Sequence, residues 1–207
     1  MGAKNLCTRG FTAGDEWQCK VMKRIFDLVL TVAIGTVMLI PILLVASLVR
    51  LTSKGPILYW SDRVGANNVI FKMPKFRSMQ VDTPAVATHL LSNPDVYLTP
   101  IGSFLRKSSL DELPQLWSIL KGDMSFVGPR PALFNQHDLI DLRTRGGVHH
   151  LTPGLTGWAQ INGRDELPIP QKVALDIEYM HRQSLIFDIK IILLTFRKVL
   201  TRDNVTH

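Results

Sequence analysis

Cysteine is nearly absent: the 207 residues include two, Cys7 and Cys19, set among polar residues with no histidine nearby in sequence. That placement excludes a disulfide framework and a zinc site and leaves two unpaired thiols. Internal repeats and low-complexity runs are absent as well, which excludes a collagen-like chain. Acid is the scarcer charge, with 17 Asp and Glu against 24 Lys and Arg, a formal net charge of +7. Yet 46% of the residues are hydrophobic and mean hydropathy is +0.13, so the chain is no disordered polycation. A basic excess on an apolar background suits anionic, partly greasy partners such as phosphates and lipid headgroups better than a nucleic-acid partner, and composition alone does not decide between them. The length suffices for one domain of ordinary size, or a small one with an appendage.

Charge is missing altogether from Leu28 to Val49, 22 residues in which only Thr31, Gly35, Thr36, Pro41 and Ser47 are not strongly apolar. As a straight helix rising ~1.5 Å per residue this run reaches about 33 Å, enough to cross a bilayer's hydrocarbon. Two features oppose a simple crossing. Pro41 removes a backbone donor inside the run and kinks the helix. Both flanks are basic, Lys20, Lys23 and Arg24 before and Arg50 and Lys54 after, which draws both ends to the cytoplasmic side. A helix that enters, bends at Pro41 and returns meets both constraints; a single span with a tolerated proline remains the alternative. Residues 1–21 show no helical or strand period and read as a poorly ordered leader.

Beyond Gly55-Pro56 the apolar stretches shorten. Ile57 to Trp60, Val69 to Met73 and then Lys75 to Met79 read as one or two short strands, and Asp82 to Pro100 as a loop-rich stretch with Pro84, Pro94 and Pro100. Helices are expected over about Leu113 to Lys121, near Pro131 to Arg145 and near Pro170 to Arg182. From Ser184 to Leu200, Leu185, Ile189, Ile192, Phe196 and Val199 form an amphipathic stripe, facing either the core or a membrane surface.

The densest reactive cluster is Arg106-Lys107-Ser108-Ser109-Leu110-Asp111-Glu112-Leu113-Pro114. Two adjacent carboxylates follow two cations, which keep the acids ionised and attract phosphate. Ser109 and Glu112 match a capping box, while Asp111 with Pro114 at the third helical position matches a competing cap; acids that merely begin a helix are one reading. The other is an acid seated where a phosphoryl group would bind, able to attack phosphorus and form an acyl phosphate, with its neighbour or itself holding Mg²⁺. Downstream, Gly128-Pro129-Arg130-Pro131 fixes one arginine between two prolines, either a structural turn or a directed phosphate contact. Lys75 and Arg77 alternate across Phe76, so on a strand they share a face. Pro153 to Arg164, with three glycines, reads as a loop of close backbone approach and matches neither a Walker nor a Rossmann pattern. The adjacent His149 and His150 read as non-ligands.

Taken in order, Lys23-Arg24-Ile25-Phe26-Asp27, the apolar run with Pro41, Asp62-Arg63-Val64-Gly65, Lys75-Phe76-Arg77-Ser78-Met79, Leu110 to Leu116, Gly122 to Pro131 and Pro153 to Arg164 resemble the bacterial sugar transferases. The likeness is to their small monotopic phosphoglycosyl transferases, of the kind that initiates N-glycans in Campylobacter. The resemblance implies an α+β, mainly helical fold: a re-entrant membrane helix kinked at Pro41 over residues 22–50, then a catalytic domain over 51–202 with short strands and interfacial amphipathic helices. It implies transfer of a sugar 1-phosphate from a UDP-sugar to polyprenyl phosphate, with release of UMP and with Mg²⁺, at the cytoplasmic face of a bacterial inner membrane. It further implies Asp111 as nucleophile and Glu112 as its partner in metal or proton handling, with Arg106, Arg130, Lys75 and Arg77 as substrate-binding cations. Ile186 stands where the family usually carries an aromatic residue. No extra membrane domain is expected ahead of the catalytic part. The rival from another class is a non-catalytic membrane scaffold for glycan assembly.

Overall fold

The computed structural model describes residues 13–83, 94–163 and 167–201. Cys7, most of the 1–21 leader and parts of the 82–100 stretch and of the 153–164 loop's far end lie outside them. The chain is a mainly helical α+β protein with two small sheets, led by a bent pair of apolar helices.

Helix α1 spans Ala13–Val37, so the boundary expected at Met22 falls inside it. Helix α2 spans Leu39–Thr52, and the two axes differ by 63°. The bend is the expected one, and Met38 is the residue that separates the helices, one turn ahead of Pro41. A proline ring displaces the carbonyl four residues before it, here that of Val37, the last residue of α1. Among the described residues no single helix is long and apolar enough to cross a membrane. Val29, Val32, Val37, Leu39, Ile40, Leu43, Leu44 and Leu51 of the pair are exposed.

Strands β1 (Leu58–Val64) and β2 (Ile70–Phe76) form an antiparallel hairpin in the region where short strands were expected. Asn67 and Asn68 turn it with φ of 54° and 60°, a left-handed conformation that asparagine tolerates better than most residues. Then come α3 (Gly102–Lys107), a 3-10 helix (Leu110–Gln115), α4 (Leu116–Lys121) and β3 (Ser125–Val127). Helix α5 (His137–Arg145) leads to β4 (Gly154–Thr156), which pairs with β3 in parallel, and the chain ends in α6 (Trp158–Asn162), α7 (Ile169–Arg182) and α8 (Leu185–Thr201). Helices α3 and α6, each six residues or fewer, and the three-residue strands went unread because such lengths carry no periodicity.

The main core gathers Met73, Leu116, Ile119, Phe126, Tyr179, Phe187 and Ile191 from β2, α4, β3, α7 and α8. A second cluster joins Val45 and Val49 of α2 to Phe76 and Leu105, with Leu110 and Leu113 of the 3-10 helix packed against them. The foot of α2 therefore rests on the segment that carries Asp111 and Glu112.

The motif at the middle of α1 is a clasp. Lys23 Nζ donates to Asp188 Oδ2 at 2.5 Å and to the Val127 carbonyl at 3.0 Å, and Tyr179 donates to Asp188 Oδ1 at 2.8 Å. Arg24 donates to the carbonyls of Ile119 and Leu120 at the end of α4, and Asp27 Oδ1 accepts from the Phe126 amide at 3.1 Å. Buried charges need such partners, so this network commits α1 to one seat on the domain.

Helix α8 docks by Phe187, Asp188 and Ile191, all buried. The stripe legible in its spacing is largely the other side: Leu185, Ile189, Phe196 and Val199 are exposed, as is Ile186. A core face is thereby excluded for most of that stripe, since Asp188, a charged residue, marks the inward face through its pairing with Lys23.

Candidate active site

Strand β2 delivers Lys75 to the centre of the site. Its Nζ lies 3.0 Å from Glu112 Oε1, and Arg130 Nη2 reaches the same oxygen at 3.1 Å. Burial pushes the Glu112 carboxyl up, but the charges and hydrogen bonds of Lys75 and Arg130 together outweigh it and hold the group well below the usual carboxylate range. Glu112 is thus a fixed anion between two cations.

Asp111 has the opposite setting. It is buried, and no hydrogen bond from the described residues engages its carboxylate. Burial pushes its pKa up to about 6; Lys75 pulls it down, Glu112 pushes it up, and Arg106 and Arg130 pull it down. At neutral pH it remains mostly ionised while being more basic than an ordinary aspartate, which improves it as a nucleophile.

The local fold explains why Asp111 is left available. Neither expected cap forms: Asp111 lies inside the 3-10 helix, which Ser109 enters without a side-chain cap bond. Ser109 itself adopts φ 56°, ψ 17°, a left-handed conformation that costs a serine on the order of 1–2 kcal/mol. This strained entry turns the backbone between α3 and the dyad, bringing Arg106 of α3 to bear on Asp111. The 3-10 helix runs directly into α4, so the helix expected from Leu113 is two short elements.

Arg130 is positioned through its main chain. Arg143 of α5 donates from Nη1 to the Arg130 carbonyl at 2.8 Å, and its Nε and Nη2 grip Asp176 Oδ2 of α7 at 2.9 and 2.7 Å. Behind this turn the glycines of the 153–164 loop press against Gly128, bearing out close backbone approach. A Cβ on Gly154 would stand 2.1 Å from the Gly128 nitrogen, and one on Gly157 2.1 Å from the Gly128 oxygen.

The structure thus brings Lys75, Asp111, Glu112, Arg106 and Arg130 together, and leaves Arg77 elsewhere. The shared strand face fails because β2 ends at Phe76. Arg77, buried, donates from Nη2 to the Ser53 hydroxyl at 2.8 Å and to the Ser53 carbonyl, at the foot of α2. Sequence reading missed Arg143 and Asp176, whose only signal is that both fall on inward positions of amphipathic helices. It also assigned no part to Arg63 and Gln115, which line a cleft beside Glu112 and Arg130. Neither adjacent histidine bonds to the dyad: His149 lines a cavity with Arg130 and Arg143, and His150 Nδ1 lies 3.0 Å from Asn67 Oδ1.

Among the described residues no three His, Cys, Asp or Glu side chains converge. Two adjacent carboxylates do fit Mg²⁺, which keeps several waters and is held by one or two carboxylates together with substrate phosphates.

An available basic carboxylate beside a cation-clamped one, among converging arginines, is equipment for an enzyme that acts on phosphate esters. The chain belongs to the bacterial sugar transferase family, whose model matches residues 18–202. It is 40% identical over 187 residues to the uncharacterized sugar transferase EpsL of Bacillus subtilis, covering 89% of this chain and 90% of that one. It is 37% identical to the exopolysaccharide production protein ExoY of Sinorhizobium fredii, covering 86% and 85%. The UDP-glucose:undecaprenyl-phosphate glucose-1-phosphate transferase of Escherichia coli is 40% identical, covering 86% of this chain and 40% of that protein. The chain therefore spans most of the shorter relatives and less than half of the longer one.

Proposed function

We propose that this transferase moves a sugar 1-phosphate from a UDP-sugar to a polyprenyl phosphate and releases UMP, the opening membrane step of polysaccharide or glycoconjugate assembly. The observation that carries this reading is the contrast within the dyad: Asp111 is buried yet unengaged by the described residues, while Lys75 and Arg130 occupy Glu112. The names of relatives such as the E. coli UDP-glucose:undecaprenyl-phosphate enzyme support the substrate classes.

In the first half-reaction an Asp111 oxygen attacks the phosphorus next to the sugar. A carboxylate-to-phosphorus bond forms, the bond between that phosphorus and the bridging oxygen breaks, and UMP leaves with the electron pair. In the second, an oxygen of the polyprenyl phosphate attacks the same phosphorus and frees the Asp111 carboxylate. Arg106, Arg130 and Lys75 neutralise phosphate charge and orient the diphosphate, and Glu112 keeps Lys75 and Arg130 in place. Asp111 and Glu112 would hold Mg²⁺, which would supply further neutralisation of phosphate charge.

The site meets both substrates because α2 rests on the 3-10 helix. With α1 and α2 re-entering the cytoplasmic leaflet of a bacterial inner membrane, and the exposed stripe of α8 lying at the interface, the lipid phosphate reaches Asp111 from the bilayer while the nucleotide sugar arrives from water. On this reading the membrane unit covers residues 22–50 and the catalytic domain 51–202.

The test uses purified full-length protein, polyprenyl phosphate, Mg²⁺ and a panel of UDP-sugars, with UMP as the readout. Without acceptor, wild type releases up to one equivalent of UMP and retains labelled sugar phosphate on the protein. Asp111→Asn does neither while still binding membranes. Near-normal turnover in Asp111→Asn refutes the nucleophile, and no UMP before acceptor arrives points instead to direct transfer in a ternary complex.

A further inference from the structure

Gln115 ends the 3-10 helix one turn after Asp111, and its side chain is 3% exposed. Its amide nitrogen, Nε2, has no hydrogen-bond partner among the described residues. A buried amide donor without an acceptor is destabilising and is rarely retained in folded proteins unless something else completes it. Gln115 lines a narrow open cleft with Arg63, Glu112, Arg130 and Gly154. Its floor admits about one water-sized group, so it takes a single oxygen of whatever lies across its mouth.

The cleft's chemistry names what completes it. Arg63 and Arg130 bring two guanidinium groups, and Glu112, the one carboxylate among the described lining residues, is already shared with Lys75 and Arg130. Arg63 is steered toward the Arg130 turn by donating to the Pro131 carbonyl at 3.2 Å and to the Ser61 hydroxyl at 3.0 Å. At Gly154 the wall is bare backbone, since a Cβ there would collide with Gly128. A positive cleft with an unmet donor calls for an anionic acceptor, and a phosphoryl group offers three oxygens and matches the arginine forks. Asp111 does not line this cleft. The phosphate seated here is therefore not the one Asp111 attacks.

We propose that the cleft of Arg63, Gln115 and Arg130 seats the phosphate that departs with the nucleoside, with Gln115 Nε2 donating to one of its oxygens. This inference rests on the reaction proposed above and adds the residues that hold its leaving group. Gln115 is a substrate-contacting residue in that scheme, its buried Nε2 supplying the contact.

The experiment measures UMP binding by calorimetry, and the thermal midpoint without ligand, for full-length wild type, Gln115→Met and Gln115→Glu. Methionine keeps the volume and removes the donor; glutamate keeps the shape and places an anion against the phosphate. The expected result is UMP affinity about tenfold weaker for Gln115→Met and at least a hundredfold weaker for Gln115→Glu. The thermal midpoint of ligand-free Gln115→Met should be no lower than that of wild type, because a stranded donor has been removed. KM for the UDP-sugar should rise in parallel while KM for polyprenyl phosphate stays within twofold. Wild-type UMP affinity in either variant overturns the assignment, as does a loss of affinity matched by a fall in the ligand-free midpoint. Should Gln115→Met fail to fold, Gln115→Glu decides alone. Wild type that binds no UMP and releases none from any UDP-sugar overturns the underlying reaction, an outcome distinct from a variant that behaves as wild type.

Discussion

Replacing Arg143 with methionine separates what stabilises the domain from what aims Arg130. Arg143 makes two hydrogen bonds to Asp176, which is 1% exposed, and a third to the Arg130 carbonyl. Removing the guanidinium strands a buried carboxylate, a change that costs about 3–5 kcal/mol. Burial, only partly countered by Arg143, already pushes the Asp176 carboxyl up, so it takes a proton readily and the cost falls near the lower end, about 3 kcal/mol. For a chain of this size that lowers the melting temperature by roughly 6–12 °C. In Arg143→Met with Asp176→Leu both charges are gone, and most of that stability returns. Turnover does not, because the Arg130 carbonyl still lacks its donor; losing about 1 kcal/mol of positioning slows UMP release about fivefold. Differential scanning calorimetry and the UMP assay on both variants test this. A loss under about 1 kcal/mol in the single variant, or wild-type turnover in the double variant, refutes the reasoning.

Glu112 governs a pH effect whose sign is set by its neighbours. Burial notwithstanding, Lys75 and Arg130 hold its carboxyl below the ordinary value, so in EDTA it stabilises the folded state above that value and the contribution is lost as pH falls through the folded-state pKa. The unfolding free energy of wild type over Glu112→Gln should therefore narrow as pH is lowered from 7 toward 3; a gap that widens contradicts the clamp. The bent helix pair makes a topological prediction: with Cys7 and Cys19 replaced by serine, single cysteines placed at Lys20 and Ser53 should react with an impermeant maleimide from the same side of sealed vesicles. Labelling from opposite sides would establish a single span instead.

Some of this architecture is written in short stretches of chain. The uncharged run and its proline announce an apolar helix that bends, because a missing N–H and a ring clash act within one turn. The short apolar stretches after Gly55-Pro56 announce one or two strands but not their pairing, and adjacent acids after two cations announce a charged site. Other features were invisible. Arg77 looks equivalent to Lys75 in sequence, yet the strand ends between them and Arg77 turns to Ser53. The spacing of the α8 stripe suits the core and a membrane surface alike, and the structure turns Asp188 inward because Lys23, 165 positions away, pairs with it.

What the sequence by itself determined is the set of local devices: the bent apolar pair, the amphipathic helices, the Arg130 turn between prolines and the candidate dyad of Asp111 and Glu112. Each depends on backbone sterics or on side chains within a turn or two of one another. Only the tertiary structure decided which carboxylate is occupied and which is left available, since Lys75 and Arg130 come to Glu112 from elements 37 and 18 residues away. A carboxylate's basicity depends on burial and on charges a few ångströms distant, and no local pattern encodes those distances.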